Sequence, residues 1–412
     1  MKKIILIIVI VILSLFLYKN FNAKDNKNEL TFWSIQLKPV YEAQMRGIIK
    51  EFESKHPSYK VKWIDIPINE AQKRTLASIL SSTPPDLINL NPGFSLLLAQ
   101  KDTLETFDNK DLSQFSEKLL DKLKYDNKIY ALPFYATSAV TIYNKETWDN
   151  CFGGEFITTY DELFSLASTL AQCSNIPVYV NSLNENDTLA KILAKYDITY
   201  FETEEEKENA KYVFDEFNKM YKNNQMPKDT LAISHREVIE KYMSNQASII
   251  VAGSNFLNMI KKSAPDIYEK SDISYQLTGL NGEYDISLMN LIIPKRAKNK
   301  ELAFEFALLL TNQKNQEEFA KLTNVLPANK YALEDDYFKN CSSDLYDKSR
   351  CISAWQLNNI SEADFGEKNR SSINEAINKT FEEILLKDDS FSENIELKID
   401  NLSQQIKKLR EN

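Results

Sequence analysis

Aromatic faces and side-chain amides, rather than nucleophile–base pairs, are the chemistry-bearing groups of this sequence. Trp33-Ser34 and Asn91-Pro92-Gly93-Phe94 each set a flat ring near a hydrogen-bonding side chain. Such a ring covers the C–H face of a polyhydroxylated ligand, while hydroxyls and amides take its OH groups. Catalysis finds little to work with. The sequence has two histidines, His56 and His235. His56 precedes Pro57 at an expected helix end, where capping or exposure is its natural role. No H-E-x-x-H, G-x-S-x-G or phosphate-binding loop occurs, and eight glycines are few for 412 residues. The acidic run at Glu202, Glu204, Glu205 and Glu206 suits a solvated helix start. No catalytic residue, metal site or cofactor is expected. Paired carboxylates for glycoside hydrolysis need only a suitable separation in space, so an extracellular carbohydrate-active hydrolase stands as a minor alternative.

Those side chains need elements to hold them. Residues 30–34 read as a strand, and 36–56 carry a helical stripe of Tyr41, Met45, Ile48, Ile49 and Phe52 that Pro57 stops. A strand over 59–66, a helix over 69–82 and a strand over 86–90 follow. This alternation with short connections predicts a parallel sheet covered by helices. Ligands gather beyond the carboxyl ends of such strands, which singles out Trp33, Ser34, Asn91 and Phe94. At 126–146, two β-type runs (128–132 and 139–143) flank residues 133–138. Pro133 lacks a backbone donor, which predicts a change of direction there. Helices are expected near 160–170, 186–196, 204–223 and 236–245, then a buried strand at 247–252 leading into Gly253-Ser254-Asn255-Phe256. Residues 284–295 read as a second crossover, and helices at 374–386 and 395–409 close the chain.

Bulk properties restrict the partners. The length suffices for two lobes with separate cores. Lys2 and Lys3 precede an apolar run over residues 4–18, the pattern of an export signal within residues 1–23. Fifteen helical residues span roughly 22 Å, short of a hydrocarbon core of roughly 30 Å. A cleaved signal is therefore the first reading and a retained membrane anchor through residues 4–18 the second. Without residues 1–23, 47 basic side chains face 59 acidic ones. That balance argues against nucleic acid or an anionic membrane surface as partner. Cys151 with Cys173, and Cys341 with Cys351, form two near pairs, consistent with local disulfides after export. Four cysteines allow three connectivities, and spacing does not choose among them. The spacings match no zinc or redox motif.

Several short motifs recur in a fixed order. Phe52-Glu53-Ser54-Lys55-His56-Pro57 is followed by Pro84-Pro85-Asp86-Leu87, then by Tyr130, Leu132 and Pro133 ahead of Tyr143-Asn144-Lys145. Ile293-Pro294-Lys295-Arg296-Ala297-Lys298-Asn299 and Leu326-Pro327-Ala328 come later. In this the chain resembles bacterial extracellular solute-binding proteins of the sugar-type family related to maltose-binding protein. It departs where Asn255 occupies the usual Trp slot and Ser287-Leu288 replace a glycine pair.

The resemblance implies an α/β, two-lobed periplasmic-binding-protein-like fold of type II. Each lobe would be a helix-covered mixed β-sheet, with the ligand cleft at the hinge. The division expected is 29–137 and 286–328 for the first lobe, 138–285 for the second, and 329–412 for the second lobe's C-terminal helices and closing segment. Tyr135 and Thr137 at the first crossover, and Asn181, Ser254, Asn255 and Asp285 on the second lobe, join the four earlier candidates. Trp355 and Arg370 lie where the family's last segment returns toward the cleft. The implied function is capture of a small solute, a carbohydrate first, and its delivery to the permease of an ATP-binding-cassette importer, which hydrolyses the ATP. A monomer in the periplasm or on the outer face of the cytoplasmic membrane is expected. A membrane-tethered solute sensor is the other reading.

Overall fold

The computed structural model describes residues 28–185, 187–323, 325–360, 369–386 and 391–411. The expected export signal and its apolar run lie outside them. Among the described residues no helix is long and apolar enough to cross a membrane.

Asn28–Ile35 lies between Tyr59–Ile66 and Leu87–Leu90 and is parallel to both. Period-2 alternation puts Leu30 and Phe32 fully inside. Helix Glu42–Lys55 buries Met45, Ile48 and Phe52 on the same core. Phe306, from helix Lys300–Leu310, reaches back from the returning segment. Its ring lies 5.6 Å from Phe32 and 5.0 Å from Phe52. The buried Asp86 carboxylate accepts from the backbone N–H of Thr31 at 2.8 Å and of Asn299 at 2.9 Å. Two motifs that are far apart in the chain thus meet at one side chain.

Leu132–Asn144 is the element on which the architecture turns. It runs unbroken for 13 residues, so the expected change of direction at Pro133 does not occur. The partner strand Ile286–Ile292 shifts register between Met289 and Asn290, opposite Tyr135 and Pro133. That irregularity leaves the proline's missing donor without a required partner. The N-terminal half of the strand pairs with Ile286–Ile292 and Leu326–Pro327. Its C-terminal half pairs with Ile249–Gly253 and Ser271–Ser274.

Around that C-terminal half a second core assembles. Helix Tyr160–Ser174 starts with a capping box, Thr159 with Glu162, and buries Tyr160, Leu163 and Phe164. Glu204–Lys222 packs Phe214 and Phe217 against Phe381 of Arg370–Leu386 at 5.3 and 5.8 Å. Disulfides join Cys151 to Cys173 and Cys341 to Cys351. The mixed sheets, each covered by helices, are the two-lobed α/β arrangement.

Candidate functional site at the strand switch

Adjacent residues of the long strand belong to different sheets. Ser138 pairs with Ile286 on one side, and Ala139 pairs with Gly253 on the other. Beside this point opens a cleft of about 730 Å³, within the roughly 300–1,000 Å³ typical of small-molecule sites. Gln36, Ile68, Tyr135 and Met289 line it from the first core, and Asn181, Lys195, Asn255 and Asp285 from the second.

Strand alternation sends Tyr135 and Thr137 to the same face. The Tyr135 ring rests edge-on against Phe134 and Phe319 at 5.1 and 5.3 Å. Burial, with the Asp65 charge nearby, pushes its hydroxyl far above the ordinary value, so it stays a neutral donor. Asn181 follows Tyr179–Val180 and donates to the Tyr179 hydroxyl at 2.9 Å. Tyr160 and Tyr179 share a hydroxyl contact of 3.2 Å behind it. Ser254 and Asn255 sit on the single turn Ser254–Phe256 that follows strand Ile249–Gly253.

Asp285 ends the loop before Ile286–Ile292, and its carboxylate lies 3.1 Å from the Lys195 ammonium. That ammonium is 2% exposed and also donates to the Glu283 carbonyl at 3.0 Å. Burying it is tolerable only with such partners. Lys191 and Arg350 also line the cleft; they pair with Asp187 at 3.1 Å and with Asp347 at 2.7 Å. His235 donates or accepts at Ser182 Oγ, 3.1 Å away. Burial lowers its pKa, which favours the neutral ring. The cleft therefore offers hydroxyls, amides and rings, with its cations answered by acids.

Six sequence candidates line this cleft: Tyr135, Thr137, Asn181, Ser254, Asn255 and Asp285. The structure does not bring the other six to it. Trp33 packs against the first core. The Ser34 hydroxyl is fully buried between the Trp63 indole, which donates to it at 2.7 Å, and Asp65. Asn91 caps helix Pro92–Gln100 by accepting from the Phe94 N–H, and Phe94 packs on the first core. Trp355 faces away, edge-on to Tyr275 at 4.9 Å and Tyr284 at 5.8 Å. Arg370 begins a helix that packs against other helices of the second core. The ends of the parallel strands do reach the cleft, through Gln36 after Asn28–Ile35 and Ile68 after Tyr59–Ile66, while the side chains of Trp33, Ser34, Asn91 and Phe94 are taken up elsewhere. Lys195 and Gln276, and the cleft-facing residues Tyr346, Ser349, Arg350 and Ser353 of helix Leu345–Gln356, are not among the sequence candidates, and His235 is weighed there only for catalysis. None belongs to a local motif, and only folding brings them to the switch.

The model of the bacterial extracellular solute-binding protein family matches residues 47–342. The diacetylchitobiose binding protein DasA of Streptomyces coelicolor is 23% identical over 320 residues, 72% of each chain. A periplasmic-binding protein structure from Synechococcus sp. MITs9220 superposes with a TM-score of 0.81 at 21% identity, covering 92% of this chain and 98% of that one. The GacH receptor of Streptomyces glaucescens, solved unliganded and with acarbose, gives 0.71 at 16% identity, covering 94% and 99%. The chain belongs to the extracellular solute-binding family.

Proposed function

We propose that this family member captures a neutral carbohydrate between its lobes and hands it to the permease of an ATP-binding-cassette importer. The charge-balanced cleft beside the Ser138–Ala139 switch carries the reading. A charged ligand would have to break the Lys195–Asp285 or Lys191–Asp187 pair to gain a partner, whereas sugar hydroxyls can bond to the same groups without separating them. Tyr135 supplies the ring face, and Thr137, Asn181, Ser254, Asn255 and Asp285 supply donors and acceptors. The sugar ligands named for DasA and GacH support the class.

The first lobe comprises 29–137 and 286–328, the second 138–285. In the C-terminal stretch the helices after residue 369 pack on the second core, while Phe338, Leu357 and Ile360 reach the first. Lobes joined at neighbouring crossings, Thr137–Ser138 and Asp285–Ile286, can close over a ligand and form a surface that a permease recognises. The chain acts as a monomer and a binding component, not an enzyme, at the periplasmic or outer face of the membrane.

A thermal-shift screen of residues 29–412 against maltose, mannitol, tagatose, diacetylchitobiose, amino acids and peptides tests this. Ligand at a hundred times its Kd adds about 2.7 kcal/mol, a shift of several degrees. A sugar-only response is expected, and Tyr135→Ala should abolish it while Trp33→Phe keeps it. A response confined to amino acids or peptides would discard the carbohydrate assignment.

A further inference from the structure

Helix Leu345–Gln356 stands between two cavities. Tyr346, Ser349, Arg350 and Ser353 line the cleft at the switch, whereas Lys348, Cys351, Ile352 and Trp355 line a groove behind it. Tyr346, Ser349, Ser353 and Gln356 follow one another at intervals of three, four and three, which places them on one helical face.

Two hydroxyls on this face have no partner among the described residues. Ser353 is 4% exposed, and neither its Oγ nor the Tyr346 hydroxyl makes a hydrogen bond with another described residue. Ser349, between them, is satisfied by the Tyr346 carbonyl at 2.7 Å. A buried hydroxyl without a partner is a standing desolvation cost, and native proteins rarely leave one. Burial and the neighbouring Tyr268 and Asp344 push the Tyr346 hydroxyl up to about 12, so it remains a donor.

The helix that carries them is held firmly. Asp344 caps its start by accepting from the Tyr346 N–H. Lys348 pairs with Asp272 at 2.5 Å, and the Cys341–Cys351 disulfide ties its middle to the preceding loop. At its end the Gln356 amide reaches Ser138 Oγ at 2.7 Å and the Ala139 carbonyl at 2.9 Å. Polar groups fixed this way lose little entropy when a ligand arrives.

We infer that helix Leu345–Gln356 is a specificity element of the cleft, on which Ser353 and Tyr346 hydrogen-bond hydroxyls of the bound carbohydrate. The inference rests on the carbohydrate reading and adds residues that no local motif or family pattern in the sequence pointed to.

The variants Ser353→Ala and Tyr346→Phe remove one oxygen each. Calorimetric titration with maltose, mannitol, tagatose and diacetylchitobiose, beside unliganded melting curves, separates the outcomes. The expected result is an affinity for the responding sugar about tenfold weaker in one or both variants, with the unliganded melting temperature unchanged or raised. A structural hydroxyl would instead lower the melting temperature when removed. Unchanged affinity in both variants, or a melting temperature that falls in step with affinity, overturns the inference alone. Silence of the wild type toward all four sugars overturns the carbohydrate reading, and this inference with it.

Discussion

Gln276 and Gln356 donate their side-chain amides to the same two acceptors, the Ser138 hydroxyl and the Ala139 carbonyl. The distances are 3.1 and 3.2 Å from Gln276, and 2.7 and 2.9 Å from Gln356. The Gln276 N–H in turn donates to Gln356 Oε1 at 2.7 Å. Both side chains are buried. This pair grips the strand at the residue where it passes from one sheet to the other.

Removing one grip should loosen the hinge. Gln356→Leu leaves the Gln276 N–H without its acceptor and should cost about 1–3 kcal/mol. The angle between the lobes should also become less fixed. Small-angle scattering would show this as a larger radius of gyration for the unliganded variant, and denaturant melts would give the stability change. Scattering and melting both like wild type would remove the clamp from the account.

The Lys195–Asp285 pair gives a second test. Asp285→Asn would leave a nearly inaccessible ammonium with neutral partners only, which should cost about 3 kcal/mol. Adding Lys195→Met should recover much of that, because the buried charge goes as well. Urea melts of the two single variants and the double variant would decide it. Additive losses would mean that the two side chains act independently. Any sugar that uses the Asp285 carboxylate should also bind Asp285→Asn more weakly.

His235 carries a pH dependence of known sign. Burial is the main cause that takes its pKa below the ordinary 6.5, with Lys191 adding to it and Glu185 opposing. The unfolded chain therefore takes up the proton first as pH falls. The stability linked to the neutral ring is complete above about 6.5. It is lost as pH drops from there toward the lower folded-state value, and the slope ends below that. Melting temperatures from pH 8 to 5 should fall less steeply in His235→Asn than in wild type. Parallel curves would show that His235 contributes nothing to the slope.

Most of the framework was legible along the chain because its signals are local. The stripe Met45, Ile48 and Phe52 needs only the 3.6-residue period, and the helix it marks is there. The His56-Pro57 and Pro84-Pro85-Asp86 punctuation bounded the first elements correctly. Pro133 misled, because whether a proline breaks a strand depends on what its neighbour offers. Here Ile286–Ile292, some 150 residues away in sequence, shifts register at that point. The cysteine pairs were suggested by proximity, and the structure joins Cys151 to Cys173 and Cys341 to Cys351.

The site divides along the same line. Tyr135, Thr137 and Asp285 sit at chain crossings and Ser254 and Asn255 on the turn that ends a buried strand, and both kinds of place leave marks in hydrophobic pattern and punctuation. Trp33, Ser34, Asn91 and Phe94 show the limit of that logic. Each has the right chemistry, yet its ring or polar group is absorbed by a core, an indole or a helix cap. By itself the sequence determined the alternation of strands and helices, the acidic character and the family motifs, since all of these are properties of neighbouring residues. Only the tertiary structure decided where the cleft lies. A cleft is set by which halves of a strand pair with which sheets, and by buried side chains such as Lys195, Gln276 and Gln356 that meet across long stretches of chain. Those meetings follow from packing the whole molecule, and no local period encodes them.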